Sequence, residues 1–205
     1  MLELRALHRL HLGPIDLRIG AGECVSVMGA SGAGKSVLLR MVADLDPHAG
    51  DALLDGRACS AMPAPEWRRQ VTYVPAESGW WAETVAEHFA PGVDLAALLP
   101  RLGLAADLAQ APVMRCSTGE RQRLALLRAL QPGNRVLLLD EPTSGLDAQA
   151  RAQVEALLCE RLHAGGALLL VTHDAAQAQR MADRRLVMQQ GQLHMQARTG
   201  AGAAA

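Results

Sequence analysis

Residues Gly29 to Ser36 read Gly-Ala-Ser-Gly-Ala-Gly-Lys-Ser, which fits the pattern G-x-x-x-x-G-K-[ST]. This pattern suits a polyphosphate. Several negative oxygens must be held together without water, and backbone N–H groups can surround them only where the chain curls tightly. Glycine's freedom at positive φ permits that curl. A helix predicted to start near Lys35 would add its positive N-terminal end. Lys35 supplies a point charge for the outer phosphates, and Ser36 offers a hydroxyl to Mg²⁺. Contacts to the phosphates are therefore expected from Gly29, Ala30, Ser31, Gly32, Ala33, Gly34, Lys35, Ser36 and Val37. At average residue usage the pattern arises by accident in roughly one chain in a hundred. Here it also follows a predicted strand and opens a predicted helix, as a phosphate loop requires.

A second run, Val136-Leu137-Leu138-Leu139-Asp140-Glu141, is an apolar strand ending in two carboxylates. Ligands in parallel sheets bind beyond the carboxyl ends of the strands. Asp140 is suited to Mg²⁺, directly or through water. Glu141 is suited to orienting or deprotonating an attacking water. Alone, such a strand could simply end at solvent. Together with the loop it points to a phosphate-loop nucleoside triphosphatase.

The elements that must position these groups can be read coarsely. Leu2–Leu7, Ile15–Ile19, Cys24–Met28, Gly50–Gly56, Val71–Val74, Val136–Asp140 and Ala167–Thr172 read as strands. Val37–Ala43, Arg121–Leu130, Ala148–His163 and Asp174–Met181 read as helices, and Arg185–Met195 as a hairpin turning at Gly191. Alternating strands and helices predict an α/β domain with a largely parallel sheet. Between Thr84 and Arg115 the chain turns rich in Ala and Leu, broken by Pro91, Pro100 and Pro112, and two or three short inserted helices are expected. The tail Thr199–Ala205 is expected to fray.

Composition excludes several classes. With 205 residues there is one domain or at most two. Half the residues are hydrophobic and mean hydropathy is +0.08, so the chain is not disordered. A net charge of -1 and 2% aromatic residues argue against nucleic acid as a partner. No apolar run is long enough to span a bilayer and no leader is read at the start. Cys24, Cys59, Cys116 and Cys159 lack CxxC spacing and read as free thiols.

Between the two phosphate-handling runs lies Cys116-Ser117-Thr118-Gly119-Glu120-Arg121-Gln122-Arg123. Here the chain resembles the ATP-binding cassette (ABC) ATPases, whose signature is L-S-G-G-[EQ]. Ser117, Gly119 and Glu120 fit; Cys116 replaces Leu, and Thr118 replaces the first Gly. Pro142-Thr143-Ser144-Gly145-Leu146-Asp147 looks like the family's D-loop, and Val171-Thr172-His173-Asp174 resembles its switch-histidine segment. The order and spacing match from about Leu2 to Met195.

The resemblance implies an α/β phosphate-loop fold of the ABC type. A core over about 1–76 and 117–196 would carry an N-terminal antiparallel β part, a helical insert would span about 77–116, and 197–205 would be a flexible tail. It implies ATP and Mg²⁺ as cofactors, with Ser36 and Asp140 at the metal and Lys35, Glu141 and His173 as catalytic residues. It further implies that two cassettes pair head to tail, so that Ser117, Gly119 and Glu120 of one complete the nucleotide site of the other, with Asp147 communicating between them. The second cassette would be the same chain or another ABC subunit. The expected role is the ATP-hydrolysing subunit of a transporter whose permease is a separate membrane protein. The chain would then sit in the cytoplasm, peripheral on the inner face of the membrane. Trp67–Tyr73 looks most like a small bacterial group of stand-alone cassettes associated with metal (iron) export. The competing classes are a soluble ABC ATPase without a membrane partner and a weakly hydrolysing regulatory subunit. Plainer readings stay open for single residues: Ser117 and Asp147 could be helix caps, and His173 a surface residue.

Two departures and one neighbouring feature stand out. Where the family has a Gln that touches Mg²⁺, this chain has Ala76, and Glu77 or a water would have to serve. No Phe, Tyr or Trp precedes Gly29, so His8 or Leu10 would have to cover the base. Trp80 and Trp81 fall where the family receives the permease's coupling helix. Either both fold into the insert or at least one is exposed for docking.

Overall fold

The computed structural model describes residues 1–130 and 132–196. The tail assigned to fraying lies outside them. Among the described residues ten strands form two sheets. Strands β1 (Leu2–Arg9), β2 (Leu12–Ile19), β4 (Ala49–Leu54) and β5 (Arg57–Ala58) make an antiparallel sheet in the order β2-β1-β4-β5. The other sheet runs β10-β9-β3-β8-β7-β6. Its strands β9 (Arg184–Gln189), β3 (Cys24–Met28), β8 (Ala167–Val171), β7 (Val136–Asp140) and β6 (Val71–Val74) are parallel. Strand β10 (Gln192–Met195) closes the edge as the expected hairpin with β9.

The parallel strands are buried on both faces, and the period of two divides their side chains between two cores. Leu138 and Leu169 join Val25 and Val27 on the face toward the antiparallel sheet and helix α1 (Lys35–Val42). Leu137, Leu139, Leu168 and Leu170 face helices α4 (Thr118–Ala129) and α5 (Ala148–His163). In β2 the alternation predicted for Ile15, Leu17 and Ile19 against Asp16 and Arg18 is present, with the apolar set buried.

Two stretches differ from expectation. The insert holds one four-residue α-helix, α3 (Leu95–Leu98), among 3₁₀ turns at 86–88, 99–102, 106–110 and 113–115. Proline and glycine at 91, 92, 100, 103 and 112 stop each helix before a second α turn forms. Val85, Leu99 and Leu102 nonetheless pack into the second core beside Leu124 and Leu127. A helix the sequence pattern hid, α2 (Ala64–Gln70), begins beside Pro63 and Pro65, where a missing N–H costs nothing. The last helix, α6 (Ala175–Met181), follows β8.

Helix α2 pins α1. Trp67 is fully buried and its indole N–H donates to the Val42 carbonyl at 2.9 Å. Trp67→Ala removes the largest fully buried side chain and leaves that carbonyl unpaired. A loss of about 3–5 kcal/mol is expected, read as a lower urea midpoint at unchanged slope. A change below about 1 kcal/mol would show the site collapses freely.

Candidate functional site

In the parallel sheet β3, β8 and β7 are neighbours, and each ends in one of the segments singled out above. Beyond β3 comes the Gly29–Ser36 loop, beyond β8 the His173 segment, and beyond β7 Asp140 and Glu141. Pairing in register brings their carboxyl ends to one edge, where ligands bind in such sheets. A cleft of about 350 Å³ opens there, walled by Ser31, Lys35 and Ser36 on one side and Asp140 and Glu141 on the other. Gly32, Gly34, Val37 and Ala76 complete its lining.

The loop's curl depends on two glycines. Gly29 has φ +148, and a Cβ there would come within 2.5 Å of the Met188 carbonyl oxygen. Gly34, at φ +101, is the N-cap of α1, and its Cβ would meet Leu12 at 2.9 Å. A side chain at Gly29 would have to displace the β9 backbone; at Gly34 it would press on the end of the Leu12 side chain, and the left-handed φ there strains any residue but glycine. Inside the curl the Lys35 ammonium donates to the carbonyls of Gly29, at 2.8 Å, and Ala30, at 2.9 Å. Lys35 is the sole lysine of the chain; every other basic side chain of fixed charge is Arg. A compact ammonium with three donors fits a narrow loop that a planar guanidinium would not.

Glu141 adopts φ +51, a left-handed conformation that costs a non-glycine residue about 1–2 kcal/mol. Three contacts hold it there: its N–H donates to Val171 O at 2.9 Å, its carbonyl accepts from Ser144 N–H at 3.1 Å, and from the Gln122 amide at 2.8 Å. The turn aims the carboxylate at His173, whose Nδ1 lies 2.7 Å from Glu141 Oε2. His173 is 71% exposed. Asp140 is buried and accepts a hydrogen bond from the Tyr73 hydroxyl at 3.0 Å. Burial, with the Asp140 charge beside it, pushes the Tyr73 phenol above its ordinary value, so it stays a donor. Tyr73 and Gln122 escaped sequence reading because their contacts come from the β6–β7 pairing and from α4 lying across the strand ends.

The donors present fit Mg²⁺. That ion takes oxygen ligands and is usually held by one or two protein groups together with substrate phosphates. Ser36 and Asp140 are the matching pair on the cleft wall, and among the described residues no cluster of three His, Cys, Asp or Glu side chains offers a protein-only cage. Ala76 brings only a methyl group to this wall. Glu77 lines an adjoining groove of about 340 Å³ with Trp80, Thr118, Arg121 and Gln122, and Ala76 is common to that groove and the cleft.

Ser117, Gly119 and Glu120 are not among the residues lining the cleft. They open α4 as a capping box: Glu120 N–H donates to Ser117 Oγ at 3.2 Å, and Ser117 N–H donates to the Glu120 carboxylate at 2.7 Å. That N–H, followed by the Ser117 hydroxyl, holds the Glu120 carboxyl below its ordinary range. Ser117 remains exposed at the helix start. Asp147 caps α5 by accepting from Ala150 N–H at 2.8 Å. Of the two residues proposed to cover a base, His8 turns its Nδ1 to Ala6 O at 2.8 Å. Leu10, 90% exposed, lines an apolar hollow that reaches the loop at Gly34 and Val37. A larger cavity, about 480 Å³, lies elsewhere between β1, β2, β9 and β10; its Glu3 is already paired with Arg5 and Arg18.

The two tryptophans divide their roles. Trp80 packs partly against the second core, whereas Trp81 is 71% exposed. The Arg128 guanidinium lies 4.6 Å from the centroid of each ring. Buried His88 accepts the N–H groups of Trp81 and Ala82 on Nε2 at 3.0 Å each, and its Nδ1 lies 2.9 Å from Thr84 O.

Comparison with known proteins agrees with this geometry. Residues 12–144 match the family described as ABC transporter. The chain is 40% identical over 195 residues to the aliphatic sulfonates import ATP-binding protein SsuB of Burkholderia pseudomallei, covering 90% of this chain and 57% of the relative. It is 37% identical over 213 residues to the Fe(3+) ions import ATP-binding protein FbpC of Pseudomonas fluorescens, covering 94% of this chain and 60% of that one. The chain thus spans little more than half the length of these relatives. A dimeric ATP-binding cassette in a post-hydrolysis state, bound to ADP and Pi, superposes with a TM-score of 0.82 at 25% identity, over 95% of this chain and 97% of that one. The α/β phosphate-loop fold expected from the sequence is the fold observed, and the chain belongs to the ABC transporter family.

Proposed function

We propose that this chain binds Mg-ATP in the cleft at the strand ends, pairs with a second cassette around the nucleotide, and hydrolyses it to drive a separate membrane permease. The observation that carries this reading is convergence: the phosphate loop, Asp140 and Glu141 line one cleft, and Glu141 contacts His173. The loop's N–H groups and Lys35 hold the phosphate oxygens, exchanging the Gly29 and Ala30 carbonyls for the anion. Ser36 and Asp140 would hold Mg²⁺, which when bound supplies positive charge against the phosphates. Tyr73 fixes the Asp140 carboxylate from behind. Glu141 accepts the proton of the attacking water, and His173 holds Glu141 in line.

None of the residues lining the cleft belongs to α4. A second copy presenting Ser117, Gly119 and Glu120 from its own helix N-terminus would close the cleft, because an exposed helix start favours the outer phosphate's charge. Under this reading residues 1–76 and 117–196 form the catalytic core and 77–116 the insert that meets the permease. The chain works at the cytoplasmic face of a membrane; no helix among the described residues is long and apolar enough to cross one. The two curated relatives above are named for sulfonate and ferric ion, so they share no cargo that would support metal export.

Pairing has a direct test. Phosphate release per protomer from Mg-ATP should rise with protein concentration, because two copies complete each site. A constant rate per protomer from a chain that stays monomeric would sink the paired mechanism.

The Trp81 face is the proposed permease seat. Trp is enriched at binding hot spots, and Arg128 and His88 hold these rings in place before any partner arrives. Trp80→Ala with Trp81→Ala should weaken assembly with the permease in detergent by roughly 30-fold or more, while the unpartnered chain keeps its fold. Undiminished assembly would place the seat elsewhere.

A further inference from the structure

Two side chains outside the cleft tie its reacting pair together. The segment after β7 runs from Glu141 to Asp147 and leads into α5. The segment after β8 runs from Thr172 to Asp174 and leads into α6. Each helix reaches across to the other segment. Arg151, on α5, pairs with Asp174 at 3.0 Å, next to His173. Gln177, on α6, donates from Nε2 to Thr143 Oγ1 at 2.8 Å, two residues after Glu141. Each tie is anchored one or two residues beyond a member of the Glu141–His173 contact.

Resting on the reading of Glu141 and His173 as the reacting pair, we propose that Arg151 and Gln177 are positioning residues: they fix that pair and pass to it the placement of the Ser144–Asp147 turn. The ties are built from groups that are costly to separate. Gln177 is fully buried and Thr143 nearly so, hence neither can exchange its partner for bulk water. Asp174 caps α6 by accepting from Gln177 N–H at 3.0 Å. That bond first, with the Ala176 N–H and the charges of Arg151 and Arg180 adding to it, holds the Asp174 carboxyl below its ordinary range. The ion pair is therefore charged at neutral pH. Arg151 also reaches Leu146 O at 3.5 Å, and Asp147 caps its helix, so the turn that would face a second copy moves with Arg151. Among the described residues, Arg151 Nε and Gln177 Oε1 are buried without a hydrogen-bond partner.

Steady-state kinetics on the full chain with Mg-ATP separate these roles. Arg151→Ala should lower kcat about tenfold and leave KM within about twofold, because small misplacements of reacting groups act on turnover. Arg151→Lys keeps a charge opposite Asp174 and should recover most of the rate. In a His173→Ala background, Arg151→Ala should cost less than about twofold further, since its route runs through His173. Gln177→Met, which preserves volume and loses the Thr143 bond, should repeat the kcat loss if it folds. The same loss with and without His173, or a KM rising in step with the fall in kcat, would reduce Arg151 to a structural clamp and overturn the proposal. Full activity of Arg151→Ala in a chain whose parent hydrolyses ATP would overturn it while leaving the catalytic reading intact. A parent chain with no hydrolysis would remove both.

Discussion

Lys35→Ala is expected to weaken Mg-ATP binding about 100-fold, roughly 3 kcal/mol, the range for losing hydrogen bonds to a charged group inside a partly enclosed site. The local geometry gives the loss two sources. The ammonium now satisfies the Gly29 and Ala30 carbonyls at 2.8 and 2.9 Å; without it, both oxygens would face an incoming polyanion. Lys35→Arg should also fall short, because a planar guanidinium is wider than the curl set by Gly29 and Gly34. The composition offers an independent readout. With one lysine in the chain, an amine-acylating reagent can label only Lys35 and the N-terminal amine, and peptide mass separates the two. Mg-ATP should protect Lys35 and spare the Met1 amine, which pairs with Asp55 far along the chain. Equal acylation of Lys35 with and without nucleotide, or an unchanged Kd in Lys35→Ala, would show that the phosphates bind elsewhere.

What could be read from the residues alone follows from how local each signal is. Cys24–Met28, Val71–Val74, Val136–Asp140 and Ala148–His163 have the bounds expected of them, because each is an apolar or periodic run closed by a breaker or a cap. The helix of the signature segment begins at Thr118, three residues before the apolar pattern starts, since its Ser117–Glu120 capping box needs no apolar residue. In the insert, proline spacing shortens helices into 3₁₀ turns, whereas the Ala/Leu composition alone suggests ordinary ones. The phosphate loop was legible as a motif because its chemistry demands contiguous residues. The cross-ties were not: Arg151 and Asp174 are 23 positions apart, Gln177 and Thr143 are 34, and no pattern links them before the sheet is folded. The same holds for Tyr73, which reaches Asp140 only because β6 and β7 lie side by side. The left-handed turn at Glu141 has no residue-type signal at all; it is imposed by Val171, Ser144 and Gln122. Strain maintained by three neighbours at a carboxylate in the cleft is itself a mark of use.

That carboxylate carries the other large expected effect. Glu141→Gln should lower hydrolysis by about 100- to 10,000-fold, the range for loss of a positioned general base, while Mg-ATP affinity stays within about threefold. The amide has nearly the same shape and can still meet His173, and the Lys35, Ser36 and Asp140 side of the cleft is untouched. Binding without turnover should then accumulate the paired state, because nucleotide stabilises whichever assembly it binds and hydrolysis no longer removes it. On a sizing column in Mg-ATP the variant should elute at twice the mass of the nucleotide-free chain, and Lys35→Ala introduced into the same chain should abolish that shift. Ser117→Arg should abolish it as well, since Ser117 lies exposed at the α4 start where the second copy's phosphates would dock. Three outcomes discriminate. Parent-rate hydrolysis by Glu141→Gln would remove Glu141 as the base. Loss of both hydrolysis and binding would make it a ligand of the nucleotide. Tight binding with no doubling of mass would leave the chemistry standing and end the case for closure by a second copy.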